Sequence, residues 1–168
     1  MRRHLITAGL GAFVCAAHAH ITIENPTAAA GSFTKVVLQV THGCSGSPTK
    51  ALTVYVPEGF LFAKARAKPG WAVTYEQRKL ASPVDLHGRA IGETTSVIRW
   101  EGGTLPNDQF DDFVLMGKVA DGATGSLAFR TVQTCEKGEA DWKGSVDSKA
   151  PAPVLKIAPV APRGSAHH

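Results

Sequence analysis

Phe33-Thr34-Lys35-Val36-Val37-Leu38-Gln39-Val40-Thr41 puts Thr34, Val36, Leu38 and Val40 on one face of an extended chain, and Phe33, Lys35, Val37 and Gln39 on the other. Successive side chains of a strand point to opposite faces, so this period of two marks a strand with one side in a core. Similar short runs recur on both sides of it, separated by turn clusters. Residues 20–23 are closed by Asn25-Pro26, and residues 51–56 by Pro57-Glu58-Gly59. Residues 60–67 and 71–78 flank Lys68-Pro69-Gly70, and residues 96–100 lead into Gly102-Gly103. Residues 110–119, 126–134 and 154–157 complete the set. No window carries a sustained helical stripe, and no internal repeat is present. Eight or nine short strands at this spacing predict an all-β fold, an antiparallel immunoglobulin/fibronectin III-like β-sandwich, with a closed barrel as the alternative.

The chain's 168 residues favour one domain, and its 43% hydrophobic content is too high for a disordered chain. Its 18 Lys+Arg against 14 Asp+Glu give a formal charge of +4, and no basic run interleaves with aromatics, so a nucleic-acid partner is excluded. Part of that charge belongs to a leader. Met1-Arg2-Arg3-His4 precedes an apolar run from Leu5 to Ala16, followed by Ala17-His18-Ala19. A basic start, a short apolar run and a small-x-small site describe a secretory signal peptide over residues 1–19. The run is too short to span a bilayer, which takes roughly 20 apolar residues. Cleavage after Ala19 satisfies the A-x-A pattern and leaves His20 first; cleavage after Ala17 is the alternative.

Without the leader, 149 residues remain, carrying 16 basic and 14 acidic side chains, a net charge of +2. Cys15 leaves with the leader, so Cys44 and Cys135 are expected to form a disulfide outside the cytoplasm. Residues 20–148 form the expected domain, and residues 149–168, rich in Ala and Pro, the expected C-terminal tail. A mature N-terminal histidine has particular chemistry. Its α-amine and its ring Nδ1 close a six-membered chelate on one metal ion. The amine's intrinsic pKa is about 7.7–8.0, so metal displaces its proton readily near neutrality. Nitrogen donors in a planar arrangement suit Cu(II), which also tops the divalent affinity order.

Several ordered pieces carry a family resemblance. They are His20-Ile21-Thr22-Ile23 with Pro26, Ala30-Gly31-Ser32, Pro48-Thr49 before Val54, and Val56-Pro57-Glu58-Gly59. Pro69-Gly70-Trp71, Trp100-Glu101-Gly102-Gly103, Gln109-Phe110-Asp111-Asp112-Phe113, and Gln133, Cys135, Gly138 and Trp142 follow. Together they resemble the YcnI-like (DUF1775) copper-binding domain family across residues 20–145, roughly. The resemblance implies a Cu(II) site of the single-histidine brace type. In it the N-terminal His supplies two nitrogens, a carboxylate completes the plane, and a tryptophan lies close to the metal. His20 matches the first role and Trp142 the last. The family's Glu before Phe is Asp112 here, one methylene shorter, with Asp111 as the fallback on the opposite strand face. Trp71 and Trp100 are assigned to packing, His42 to a polar loop, and His87 to an exposed hairpin.

The expected function is an extracytoplasmic, periplasmic or secreted copper carrier. Its partners are the copper ion and a membrane copper transporter or another periplasmic copper protein. Met116 is the one methionine outside the leader, which argues against a Met-rich Cu(I) chaperone. A blue-copper carrier needs His and Met close after its Cys, and Cys135 is followed by neither. A copper oxidoreductase of the polysaccharide mono-oxygenase type needs a second, internal His, for which only His42 and His87 are available. A metal-free sandwich serving as an interaction module is the remaining alternative.

Overall fold

Residues 20–159 are described by a computed structural model; the expected leader and the terminal histidines His167 and His168 lie outside them. The strands in chain order are β1 (Thr22–Ile23), β2 (Thr27–Ala29), β3 (Phe33–Val40), β4 (Thr49–Tyr55), β5 (Phe60–Ala65) and β6 (Ala72–Leu86). They continue with β7 (Arg89–Leu105), β8 (Asp111–Val119), β9 (Ser126–Ala128), β10 (Thr131–Cys135), β11 (Glu139–Trp142) and β12 (Val154–Ala158). The alternating run Phe33 to Thr41 forms β3. It sits inside a four-stranded sheet of order β1-β3-β8-β5, apposed to a five-stranded sheet of order β11-β10-β4-β7-β6. A third, smaller sheet has the order β2-β12-β9. The protein is thus an antiparallel β-sandwich with open sheets, not a closed barrel.

The two main sheets share one apolar core. Val36, Leu38 and Val40 of β3 are fully buried, whereas Phe33 on the opposite face is 52% exposed. They meet Phe60, Phe113 and Leu115 from their own sheet and Leu52, Val54, Ile98 and Trp100 from the other. Phe113 is the hub: Trp71 and Trp100 meet its ring edge-on at 5.0 and 5.6 Å. Such pairs are favoured by the ring quadrupoles. Both tryptophans therefore pack.

Three features go beyond the sequence expectation. Residues 60–67 and 71–78 lie in different sheets, because β5 pairs with β8 and β6 with β7. The β6–β7 ribbon runs far past the core and turns at His87-Gly88, whose φ angles of 54° and 78° fit a two-residue hairpin turn. The folded unit also continues past residue 148. β12 pairs parallel with β2 and antiparallel with β9, and Leu155 is fully buried. Pro151 and Pro153 precede the first strand residue, Val154, so the ladder loses no N–H donor to proline. The last run of the expected set, residues 154–157, is thus β12.

Candidate metal centre

The site is assembled from three segments far apart in sequence. His20 precedes β1, which is anchored by Ile21 and Ile23, 3% and 7% exposed. β1 pairs with β3 through Thr22↔Gln39 and Ile23↔Leu38. In this antiparallel pair His20 stands two residues before β1 begins, and His42 two residues after β3 ends. The two histidines thus lie at the same end of adjacent strands.

Trp142 comes from the other sheet. It pairs with Thr131 across β10–β11, and the period of two points it inward with Ala140, Thr131 and Gln133. It is 5% exposed. The His20 ring meets its indole edge-on at 5.9 Å and 87°, and the His42 ring at 6.1 Å and 74°. The structure therefore brings His20 and Trp142 together, as the resemblance implies, and adds His42, which the sequence assigns to a polar loop.

Gln133, fully buried on β10, fixes this arrangement. Its Oε1 accepts the Trp142 indole N–H at 3.2 Å. Its amide nitrogen donates to the His42 carbonyl at 2.6 Å and to Thr49 Oγ1 at 2.7 Å. An indole N–H only donates, so Oε1 must face it, and that sets the orientation of the whole amide. The His42–Cys44 turn is held further by the Gly43 N–H, which donates to Asn107 Oδ1 at 3.1 Å. The Cys44–Cys135 disulfide, with a Cα–Cα distance of 5.9 Å, closes a separation of 91 residues beside it. Gly43 is required here for space, since a Cβ at that position would overlap the Ser47 carbonyl. The His42 Nδ1 lies 2.5 Å from the Gly43 carbonyl oxygen. A carbonyl only accepts, so Nδ1 is the donor in this contact, and Nε2 is the ring nitrogen on the far side of the imidazole.

The two aspartates lie elsewhere. Asp112 pairs with Gln39, so β3 stands between it and β1, about 10 Å across the sheet. It lines a shallow pocket with Arg66, Lys68, Pro69 and Asp111, and its Oδ1 is buried without a hydrogen-bond partner. Asp111 is engaged by Lys68 at 2.5 Å and accepts the Asp112 N–H at 2.8 Å. Among the described residues no three His, Cys, Asp or Glu side chains converge. Neither aspartate, then, forms a three-residue cluster with the two histidines.

Behind Trp142, Asp141 receives two bonds from Arg130, at 2.9 and 2.8 Å, and one from Lys143 at 2.8 Å. Those bonds, Arg130's first, hold its carboxyl well below the usual range, at about 2. The residues at the site itself offer imidazole nitrogen and no thiolate, since both cysteines are bridged and Met116 is exposed on β8. That donor set fits copper, zinc or nickel.

Fold and site together define an immunoglobulin-like β-sandwich with two histidines and a tryptophan clustered where β1 begins and β3 ends. The chain belongs to the family described as "Domain of unknown function (DUF1775)", which it matches over residues 20–157. It is also similar to a crystal structure of an uncharacterized protein from Nocardia farcinica described as having an immunoglobulin-like fold. The TM-score is 0.62 at 23% identity, covering 83% of this chain and 98% of that one, a likeness of fold. No curated protein matches the chain.

Proposed function

We propose that this protein is an extracytoplasmic Cu(II)-binding protein, a copper carrier or an accessory factor in copper homeostasis, with the metal as its cargo. His20, exposed as the N-terminal residue by removal of residues 1–19, would hold the ion through its amine and ring beside Trp142. The observation that carries this reading is the His20 imidazole set edge-on, at 5.9 Å, against a tryptophan that is 5% exposed. A buried indole of that kind excludes water from one side of the nitrogen donors. The disulfide supports a place outside the cytoplasm. No helix among the described residues is long and apolar enough to cross a membrane. The recipient of the metal would be a membrane copper transporter or another periplasmic copper protein.

The test is to export the protein, confirm its N-terminus by mass spectrometry, and titrate it with Cu(II) under EPR detection. A second preparation carries one Met ahead of His20. The first should bind tightly and the second should not, because a blocked amine cannot chelate. An unchanged spectrum and undiminished affinity in the Met-extended protein would refute the brace. A second reading is favoured by the position of His42, since copper mono-oxygenases that act on polysaccharides also use two histidines. Oxidised products from copper, a reductant and a polysaccharide would replace the carrier by the enzyme.

A further inference from the structure

We infer that His42, not Asp112, supplies the remaining protein ligand, so that the site is a two-histidine brace with three nitrogens from two residues. The inference rests on the reading that copper binds at His20, and it specifies the rest of that site.

Four observations lead to it. His20 stands two residues before β1 and His42 two residues after β3, at the same end of an antiparallel pair. Both imidazoles meet the same buried indole edge-on, at 5.9 and 6.1 Å. His42 Nδ1 is turned onto the Gly43 carbonyl, so Nε2 is the ring nitrogen left to face a metal. A backbone bond of this type is how ligating histidines are commonly oriented. The main chain of His42 is also fixed in advance, by Gln133 at its carbonyl, Asn107 at the next N–H and the disulfide at Cys44. Asp112 shows none of these properties. It faces the Arg66–Pro69 side of β8 with β3 between it and β1, and a carboxylate there is two strands from His20.

The chemical consequence is a change of donor type. A carboxylate would add negative charge and an oxygen donor, whereas His42 adds a neutral nitrogen. Three nitrogens favour Cu(II) over the harder divalent ions more strongly than two nitrogens and an oxygen do.

The experiment uses the exported protein beginning at His20, loaded with one equivalent of Cu(II). Pulsed EPR of the unmodified protein counts imidazoles through the remote ring nitrogen, so it depends on no variant. Two equatorial imidazoles are expected; one would overturn the inference. In parallel, His42→Ala and His42→Gln should each weaken Cu(II) by about 100-fold or more in competition with a chelator, since even outer partners of a metal site typically account for 10–100-fold. Asp112→Asn should leave affinity and spectrum unchanged. Far-UV circular dichroism and a thiol count establish that each variant keeps its fold and disulfide. Tight binding with one imidazole, weakened by Asp112→Asn, would sink the His42 assignment while leaving copper binding at His20 intact. Failure of the unmodified protein to bind Cu(II) would remove both.

Discussion

Replacing Gln133 by Leu tests whether the buried amide holds the site together. The two side chains are similar in volume, so the change opens no cavity of consequence and isolates the polar contribution. Three hydrogen bonds disappear: from Trp142 Nε1, to the His42 carbonyl, and to Thr49 Oγ1. The Thr49 hydroxyl can rotate to another acceptor. The indole N–H and the His42 carbonyl are fixed by the backbone and the ring, and a buried group left unpaired costs about 1–3 kcal/mol. The expected loss is therefore about 2–6 kcal/mol, read by urea denaturation with far-UV circular dichroism and the disulfide intact. A double-mutant cycle sharpens the test. In a Trp142→Phe background no indole N–H remains to be orphaned, so Gln133→Leu should do less harm, with a coupling of about 1–2 kcal/mol. A loss under about 1 kcal/mol, or additive single effects, would show that the amide is not what positions the indole and the His42 turn.

Three further outcomes follow from the same geometry. Gly43→Ala drives a methyl group into the Ser47 carbonyl; thermal unfolding should show a loss of about 1–3 kcal/mol, while Gly122→Ala, with open space around it and no left-handed backbone, should lose less. Converting Cys44 and Cys135 to Ser opens a loop of 91 residues, worth roughly 4–5 kcal/mol by chain entropy and less where the denatured chain retains structure; denaturant titration gives the value. Asp141, with its carboxyl held at about 2, stabilises the folded state above the unfolded carboxyl pKa near 4 and loses that contribution as the pH falls through 2. The stability difference between the native protein and Asp141→Asn should accordingly be constant above pH 5 or so and vanish towards pH 2, as followed by urea titration at each pH.

The sheet architecture was legible where one face of a strand is buried and the other is wet. β3 and β8 alternate in sequence because Val36, Leu38, Phe113 and Leu115 enter the core while Lys35, Gln39 and Met116 do not. The outer part of β6–β7 was not legible as strand, because it projects past the core. Residues such as Lys79, Ser82, Pro83, Asp85 and Glu93, beyond the expected run 71–78, have no apolar face to announce. β11 was missed for another reason: Glu139-Ala140-Asp141-Trp142 is short, free of β-branched residues, and a strand only because β10 pairs with it. The cysteine pair was readable from a count once Cys15 was assigned to the expected leader. His42 was not readable, since Gly43-Cys44-Ser45-Gly46 around it describes a turn and nothing more. Its proximity to Trp142 comes from sheet order, β10 lying between β4 and β11, which no local pattern encodes.

The two sides of the centre are held with very different firmness, and this bears on what the proposed carrier would do. His42 is fixed by a buried amide, a turn with no room for a side chain at Gly43, and a covalent bridge. Trp142 is fixed by the same amide and by β-pairing. His20 is tied down by a two-residue strand whose apolar anchors are Ile21 and Ile23. Burying one such side chain stabilises by about 1.5–3 kcal/mol, and the ends of chains are where ordering is weakest. On the proposed reading the rigid half would set the donor geometry in advance, and the N-terminal half would complete it by docking. Copper would then leave when β1 is drawn from the sheet edge, a displacement far smaller than unfolding the sandwich. A carrier needs such a release route, whereas a permanently resident catalytic ion does not.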